Sequence, residues 1–277
     1  MRKIASILFG FFVSVCTVNG YAVDNWGLNL PRGVTPVSAV QYDIHMIAFY
    51  VCCVIAVVVF GAMFYAMVAF RRSAHPVPAT FSHSTKLEIV WTVIPILILV
   101  VLAFPATKAL LLMEDTSKSE LTVKVTAAQW KWKYEYIDSG VQFYSSLDQQ
   151  SNQARQLKSG ISPNTVSDYL LNVDNRLVLP VDTKIQFLIT SVDVIHAWWV
   201  IDFGIKKDAI PGFINQAWTK ITKTGVYRGQ CAELCGRDHG FMPIVVEVVS
   251  KEDFVKWLEG KKNPQVSNEQ AVAMINK

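Results

Sequence analysis

Within the stretch Cys231-Ala-Glu-Leu-Cys235-Gly-Arg-Asp-His239-Gly-Phe-Met242-Pro, two thiols, an imidazole and a thioether fall close together. Such donors suit copper, whereas calcium and magnesium take oxygen ligands. Gly236, Gly240 and Pro243 interrupt the run, and none of them suits a helix interior, so the stretch reads as a ligand-bearing loop. Its residues alone admit four readings: two coppers bridged by both thiolates, a structural zinc, a Cys231–Cys235 disulfide, or loop filler without a ligand. A mononuclear blue-copper site would leave one cysteine surplus.

The loop supplies a single histidine, so a sheet-borne copper site needs a further ligand from another strand. His196, in Asp193-Val-Ile-His196-Ala-Trp-Trp, is the candidate, with large aromatics after it to screen a metal from water. A lone histidine there is ordinarily just hydrogen-bonded. With the loop, it completes an inventory of two cysteines, two histidines and a methionine. Around these residues the pattern is one of short runs rich in Val, Ile, Thr and aromatics. Strands are expected over 121–127, 130–136, 176–179, 184–190, 194–200, 216–221, 225–228 and 243–249, and a short helix over 251–259. Residues 113–260 therefore read as one all-β sandwich or Greek-key barrel, and 261–277 as a polar tail. The stretch 148–168, rich in Ser, Gln and Asn, reads as an inserted surface loop.

A hydrophobic content of 52% and a mean hydropathy of +0.30 point to a membrane part. Two apolar runs, about 44–70 and 89–112, are long enough to span a bilayer. Arg71, Arg72 and Lys86 lie between them, which places that loop in the cytoplasm and both chain ends outside. Arg2, Lys3, the apolar run 4–18, Gly20 and Ala22 form a signal-peptide pattern over 1–22, agreeing with export and leaving 23–112 as an N-terminal segment and hairpin. Cys16 leaves with that peptide, and Cys52 and Cys53 read as small apolar residues within the first span. Pro95 in the second span hints at packing against other membrane protein. Glu88, at the cytoplasmic mouth of that span, reads either as a helix-start carboxylate or as a proton acceptor at the membrane surface. The net charge of +4 lies in the first part of the chain: from Glu114 onward acidic and basic residues are equal in number, which gives nucleic-acid binding no support.

The ligand loop, the stretch 193–199, Asp208-Ala-Ile-Pro-Gly212 with Asn215, and Trp130-Lys-Trp132-Lys-Tyr134-Glu-Tyr136 together closely resemble subunit II of the haem–copper cytochrome c oxidases. The resemblance covers the hairpin and nearly all of the exported region. It implies a two-helix transmembrane hairpin followed by an all-β cupredoxin-like Greek-key barrel holding two copper ions as the binuclear CuA centre. Cys231 and Cys235 would bridge both metals, His196 and His239 would bind terminally, Met242 weakly and Glu233 through its carbonyl. The Glu233 side chain would reach a magnesium shared with subunit I. Trp130 would receive electrons from cytochrome c, Glu135, Asp138, Asp174 and Asp193 would help to steer that donor, and Glu88 would stand at the entrance of the proton channel through subunit I. The implied setting is a proton-translocating respiratory oxidase of the bacterial inner membrane, with subunits I and III as partners and oxygen reduced to water in subunit I. The chain departs from common members at Ala127-Ala-Gln129, which lacks a histidine before the tryptophan, and its charge balance argues against strongly electrostatic docking. A copper-free quinol-oxidase counterpart would lack the ligands present here. A copper carrier has no need of two spans, and nitrous oxide reductase is expected to bring a large catalytic domain for which this chain has no stretch.

Overall fold

The computed structural model describes residues 29–262. The leader expected over 1–22, with Cys16, and residues 263–277 of the expected tail lie outside the described residues. One compact unit begins at Arg32.

Pro36 in the first turn and a capping box between Thr35 and Ser38 start helix α1 (Pro36–Ala69). Helix α2 (Thr85–Glu114) follows, with Glu88 in its first turn and Pro95 and Pro105 inside it. Both are long and apolar enough to cross a membrane. Phe60, Leu99, Val101 and Phe104 are among the apolar side chains they leave exposed, a surface that lipid or other membrane protein covers. Each helix outruns its expected span. With 34 residues α1 is about 51 Å long, against roughly 30 Å for a bilayer core. The extra turns are rooted in the β domain: Thr35 Oγ1 donates to the Phe203 carbonyl at 2.9 Å and Gln41 Nε2 to that of Gly204 at 2.8 Å. Trp218 Nε1 donates to the Leu112 carbonyl at 2.8 Å, and Lys207 pairs with Glu114 at 3.0 Å. Gly204, at φ +68°, permits this approach, since a Cβ there would lie 2.7 Å from Gln41 Oε1.

The β domain comprises β1 (Leu121–Ala128), β2 (Lys131–Tyr136), β3 (Gln142–Ser145), α3 (Gln149–Ala154), β4 (Leu177–Pro180), β5 (Lys184–Ser191), β6 (His196–Val200), β7 (Ile205–Ala209), β8 (Asn215–Lys220), β9 (Gly225–Cys231), β10 (Pro243–Val249) and α4 (Lys251–Lys262). The expected barrel takes the form of two five-stranded sheets, in the orders β3-β2-β1-β5-β8 and β4-β10-β9-β6-β7. Their pairings are antiparallel except β1 with β5 and β4 with β10. Burial alternates along β2 and β5 and is nearly continuous along β4 and β10, and the space between the sheets is filled by Val123, Trp132, Tyr134 and Phe187 with Leu179, Trp198, Ile244 and Val246 in one core.

Two strands escaped the sequence reading, β3 and β7, and both are sheet edges. Lys206, Lys207 and Asp208 give β7 the polar character that protects an edge and hides its periodicity. Trp130 falls outside β2, because Ala128 pairs with Lys131 and leaves Gln129–Trp130, joined by a cis peptide, as the hairpin turn. Strand β6 starts at His196 instead of 194, since the Asp193 carboxylate draws the preceding residues into a turn by accepting the Val194 N–H. β9 runs on to Cys231, α4 takes Lys261 and Lys262 from the expected tail, and the 148–168 stretch contains α3 and the single turn Pro163–Thr165.

Candidate metal centre

One end of the sandwich gathers the ligand residues. His196 opens β6, Cys231 closes β9, the connecting loop carries Cys235 and His239, and Met242 adjoins β10. Strand register enforces this, with Trp198 opposite Cys231 and Pro243 opposite Gln230. The two Sγ atoms lie 3.8 Å apart. His196 Nδ1 is 3.9 Å from Cys231 Sγ, His239 Nδ1 is 3.5 Å from Cys235 Sγ, Met242 Sδ is 3.6 Å from Cys235 Sγ, and the Glu233 carbonyl is 3.4 Å from Cys231 Sγ. His196, Cys231, Cys235 and Met242 are buried, and His239 is half-buried.

This convergence narrows the readings of the loop. Both cysteines are free, and their separation far exceeds the roughly 2.05 Å of a disulfide. Buried donors aimed at one another are not loop filler. His196, Cys231 and Cys235 form a cluster able to hold a metal ion. With His239 and Met242 added, the pocket is lined by soft or borderline donors and the single carbonyl oxygen of Glu233, which fits copper chemistry and exceeds what a four-coordinate structural zinc uses.

The two thiols are shifted in opposite directions. Burial pushes the Cys231 thiol up, but hydrogen bonds from His196 and from the Ala197 and Glu233 backbone outweigh it and bring it down to about 7. Burial and then the adjacent Cys231 push Cys235 up to about 12. Two thiolates this close repel, so positive charge between them is what lets both ionise.

His196 is oriented from behind. Its Nε2 lies 2.9 Å from Asp193 Oδ1, leaving Nδ1 to face the pocket, the carboxylate–histidine arrangement that supports metal ligands. Burial works against the charged ring, yet hydrogen bonds with Cys231 and Asp193 outweigh it, and the net shift is upward. Burial likewise pushes the Asp193 carboxyl up, but hydrogen bonds from the Gln129 backbone, His196, Val194 and Ser191 reverse it. The buried Trp132 ring meets His196 edge-on at 6.2 Å, and its Nε1 donates to the Met242 carbonyl at 3.2 Å. Trp130, half-buried, donates to the Cys235 carbonyl at 3.2 Å, beside the Gln129 amide at 2.8 Å.

Other expected residues scatter. Asp193 belongs to the pocket. Asp174 accepts the Ser146 N–H at 2.8 Å, beyond the end of β3 that pairs with Trp132. Glu135, paired with Lys133 and Lys124, and Asp138, in the turn after β2, lie toward the opposite end of that hairpin from Trp130. The four acids therefore do not form one patch. Glu233 is exposed, and Glu88 is half-buried at the start of α2, distant in the chain from the pocket. Sequence reasoning missed Asp238, buried beside His239. Burial pushes its carboxyl up, but bonds from Arg155 and Arg237 dominate and lower it. Only the charge pattern Arg237-Asp238 next to a ligand hinted at it.

Fold and site define a class: a membrane-anchored β-sandwich with a soft-donor metal pocket at one end. Residues 23–109 match the family described as cytochrome c oxidase subunit II, transmembrane domain, and 121–249 its periplasmic domain. A probable cytochrome c oxidase subunit 2 of Rickettsia conorii is 38% identical over 99% of this chain and 84% of its own length. Cytochrome c oxidase subunit 2 of Chondrus crispus is 35% identical over 92% of this chain and 98% of its own. The solved periplasmic domain of subunit II of the cytochrome oxidase of Bradyrhizobium japonicum is 42% identical, covering 54% of this chain and 98% of that one at a TM-score of 0.46. The chain belongs to the cytochrome c oxidase subunit II family, and is thus part of a haem–copper terminal oxidase complex with other subunits.

Proposed function

We propose that this chain receives electrons from cytochrome c and that its pocket holds the two copper ions of a CuA centre. The observation that carries the reading is two buried thiols 3.8 Å apart, ringed by two imidazoles, a thioether and a backbone carbonyl. Cys231, Cys235, His196, His239, Met242 and the Glu233 carbonyl would hold the coppers, the two thiolates supplying most of the negative charge and Met242 the weakest donor. The exposed Glu233 side chain would hold a magnesium shared with subunit I. When bound, the copper pair supplies a one-electron relay to the haem of subunit I, where oxygen is reduced to water with coupled proton translocation.

The chain's own residues orient and shield that relay. Asp193 fixes the His196 tautomer, while Trp132 covers the ring and holds Met242. Trp130, bonded to the Cys235 carbonyl, is the residue that faces cytochrome c, and Asp174 and Asp193, at its end of the hairpin, are the acids placed to help docking. The apolar helices α1 and α2 lie against lipid and subunits I and III. Their connecting loop is cytoplasmic, and the sandwich and both chain ends are periplasmic in a bacterial inner membrane, after removal of a signal peptide over 1–22. Glu88 collects protons at the channel entrance.

Copper analysis and EPR of the purified full-length chain in detergent test the reading. Two coppers and the seven-line hyperfine pattern of one electron shared by two nuclei are expected; bound zinc or a four-line single-copper spectrum overturns it. Glu88→Ala should lower steady-state turnover of the assembled oxidase, and unchanged turnover removes that role.

A further inference from the structure

One guanidinium touches both sides of the His239 turn. Arg155 lies at the C-terminal end of α3, in the 148–168 segment, for which the proposed function has no use. Its Nη1 and Nη2 donate to the two carboxylate oxygens of Asp238 at 3.2 and 3.3 Å, and the same group lies 4.4 Å from the centroid of the Phe241 ring. Asp238 and Phe241 bracket His239 and are joined by the Phe241 N–H donating to the Asp238 carbonyl at 2.9 Å. The third edge of the guanidinium is also engaged, Nε donating to Asn152 Oδ1 at 2.8 Å. Behind it, α3 is tied down: Asp148 caps Ser151 at 2.9 Å, and the Ser151 hydroxyl accepts the Leu170 N–H at 3.1 Å.

We propose that Arg155 is a positioning residue for His239 and that the 148–168 segment is the brace of the ligand loop. His239 sits in a single turn between Gly236 and Gly240, and Gly236 adopts φ +115°, so the local backbone gives the imidazole little support of its own. A planar fork binds a carboxylate through two parallel bonds while its face covers an aromatic ring, and an ammonium group cannot do both at once. Asp238 is only 8% exposed, which shields the Arg155 pair from water. The other partner of Asp238, Arg237, is 81% exposed and holds it loosely.

The proposal rests on the dicopper reading, and the test separates the two. Assembled oxidase carrying Arg155→Ala or Arg155→Lys is compared with wild type for copper affinity against a chelator, for midpoint potential of the copper centre, and for the hyperfine coupling of each histidine nitrogen. Arg155→Ala should bind copper about tenfold more weakly, the low end for removing a supporting contact. It should also shift the potential and alter the His239 coupling while that of His196 stays put, and Arg155→Lys should not restore these values. Wild-type affinity and His239 coupling in Arg155→Ala, equal changes at both histidines, or full restoration by Arg155→Lys overturns the brace. A wild-type protein without the mixed-valence signal overturns the dicopper reading instead.

Discussion

His196 and His239 bring the same donor atom to the pocket from different kinds of structure. His196 opens a strand whose ladder runs to β7 and β9, is fully buried, and has a carboxylate from its own turn on its second nitrogen. His239 sits half-buried in a short turn within a glycine-flanked loop, and the contacts that frame it come from Arg155, far away in sequence. On the proposed function, a centre that transfers electrons with little rearrangement needs both imidazoles held, and the structure frames one of them locally and the other through long-range contacts.

Removing what the two ends share should have the largest effect. On the dicopper reading both ends share the Cys231 thiolate, so Cys231→Ser is expected to abolish the mixed-valence absorption and EPR while far-UV circular dichroism of the strands is unchanged. A surviving spectrum would show that the ends do not share that sulfur. Next, Asp193→Ala attacks the strand-borne end alone, with an expected loss of about 10–100-fold in copper affinity. If chelator competition finds no loss, β6 by itself holds His196 and the contrast with His239 is sharper than drawn. Trp132→Phe leaves the buried Met242 carbonyl without its donor and should cost about 1–3 kcal/mol in urea unfolding of the metal-free protein, with an unchanged midpoint arguing that water replaces the indole. The smallest effect belongs to α4, remote from either histidine. The Ser250 hydroxyl and then Lys256 hold the Asp253 carboxyl below the usual range. Its stabilising contribution is therefore fully present above the unfolded carboxylate pKa and is lost as pH falls through the lower folded value. Amide exchange over Lys251–Lys262 should quicken in that acid window, and an exchange rate indifferent to pH there, after correction for the intrinsic rate, would show that the Ser250–Asp253 contact does not stabilise the helix.

Much of this architecture was legible beforehand. The apolar runs announced the helices, and alternation announced the core strands because their inner residues are Val, Ile, Phe and Trp. The edge strands β3 and β7 were not, since residues such as Lys206 and Lys207 face water and carry no periodic signal. At the site, the donors of the 231–242 loop were readable from residue type, and His196 from the need for one more ligand. Asp193, expected as a surface acid for docking, also supports His196, and nothing in its residue type announced that second role. Arg155 lay within a polar stretch that read as an inserted surface loop.

The sequence by itself determined the donor inventory, the two spans and the all-β character, because these follow from residue chemistry and from periodicities of two and of helical turns. Only the tertiary structure decided which cysteine faces which histidine, that the two thiols stand 3.8 Å apart as free groups, and that Asp193 and Arg155 stand behind the two ligand ends. Those outcomes depend on strand register and on contacts between residues distant in the chain, such as Arg155 and Asp238, and local pattern carries no record of either.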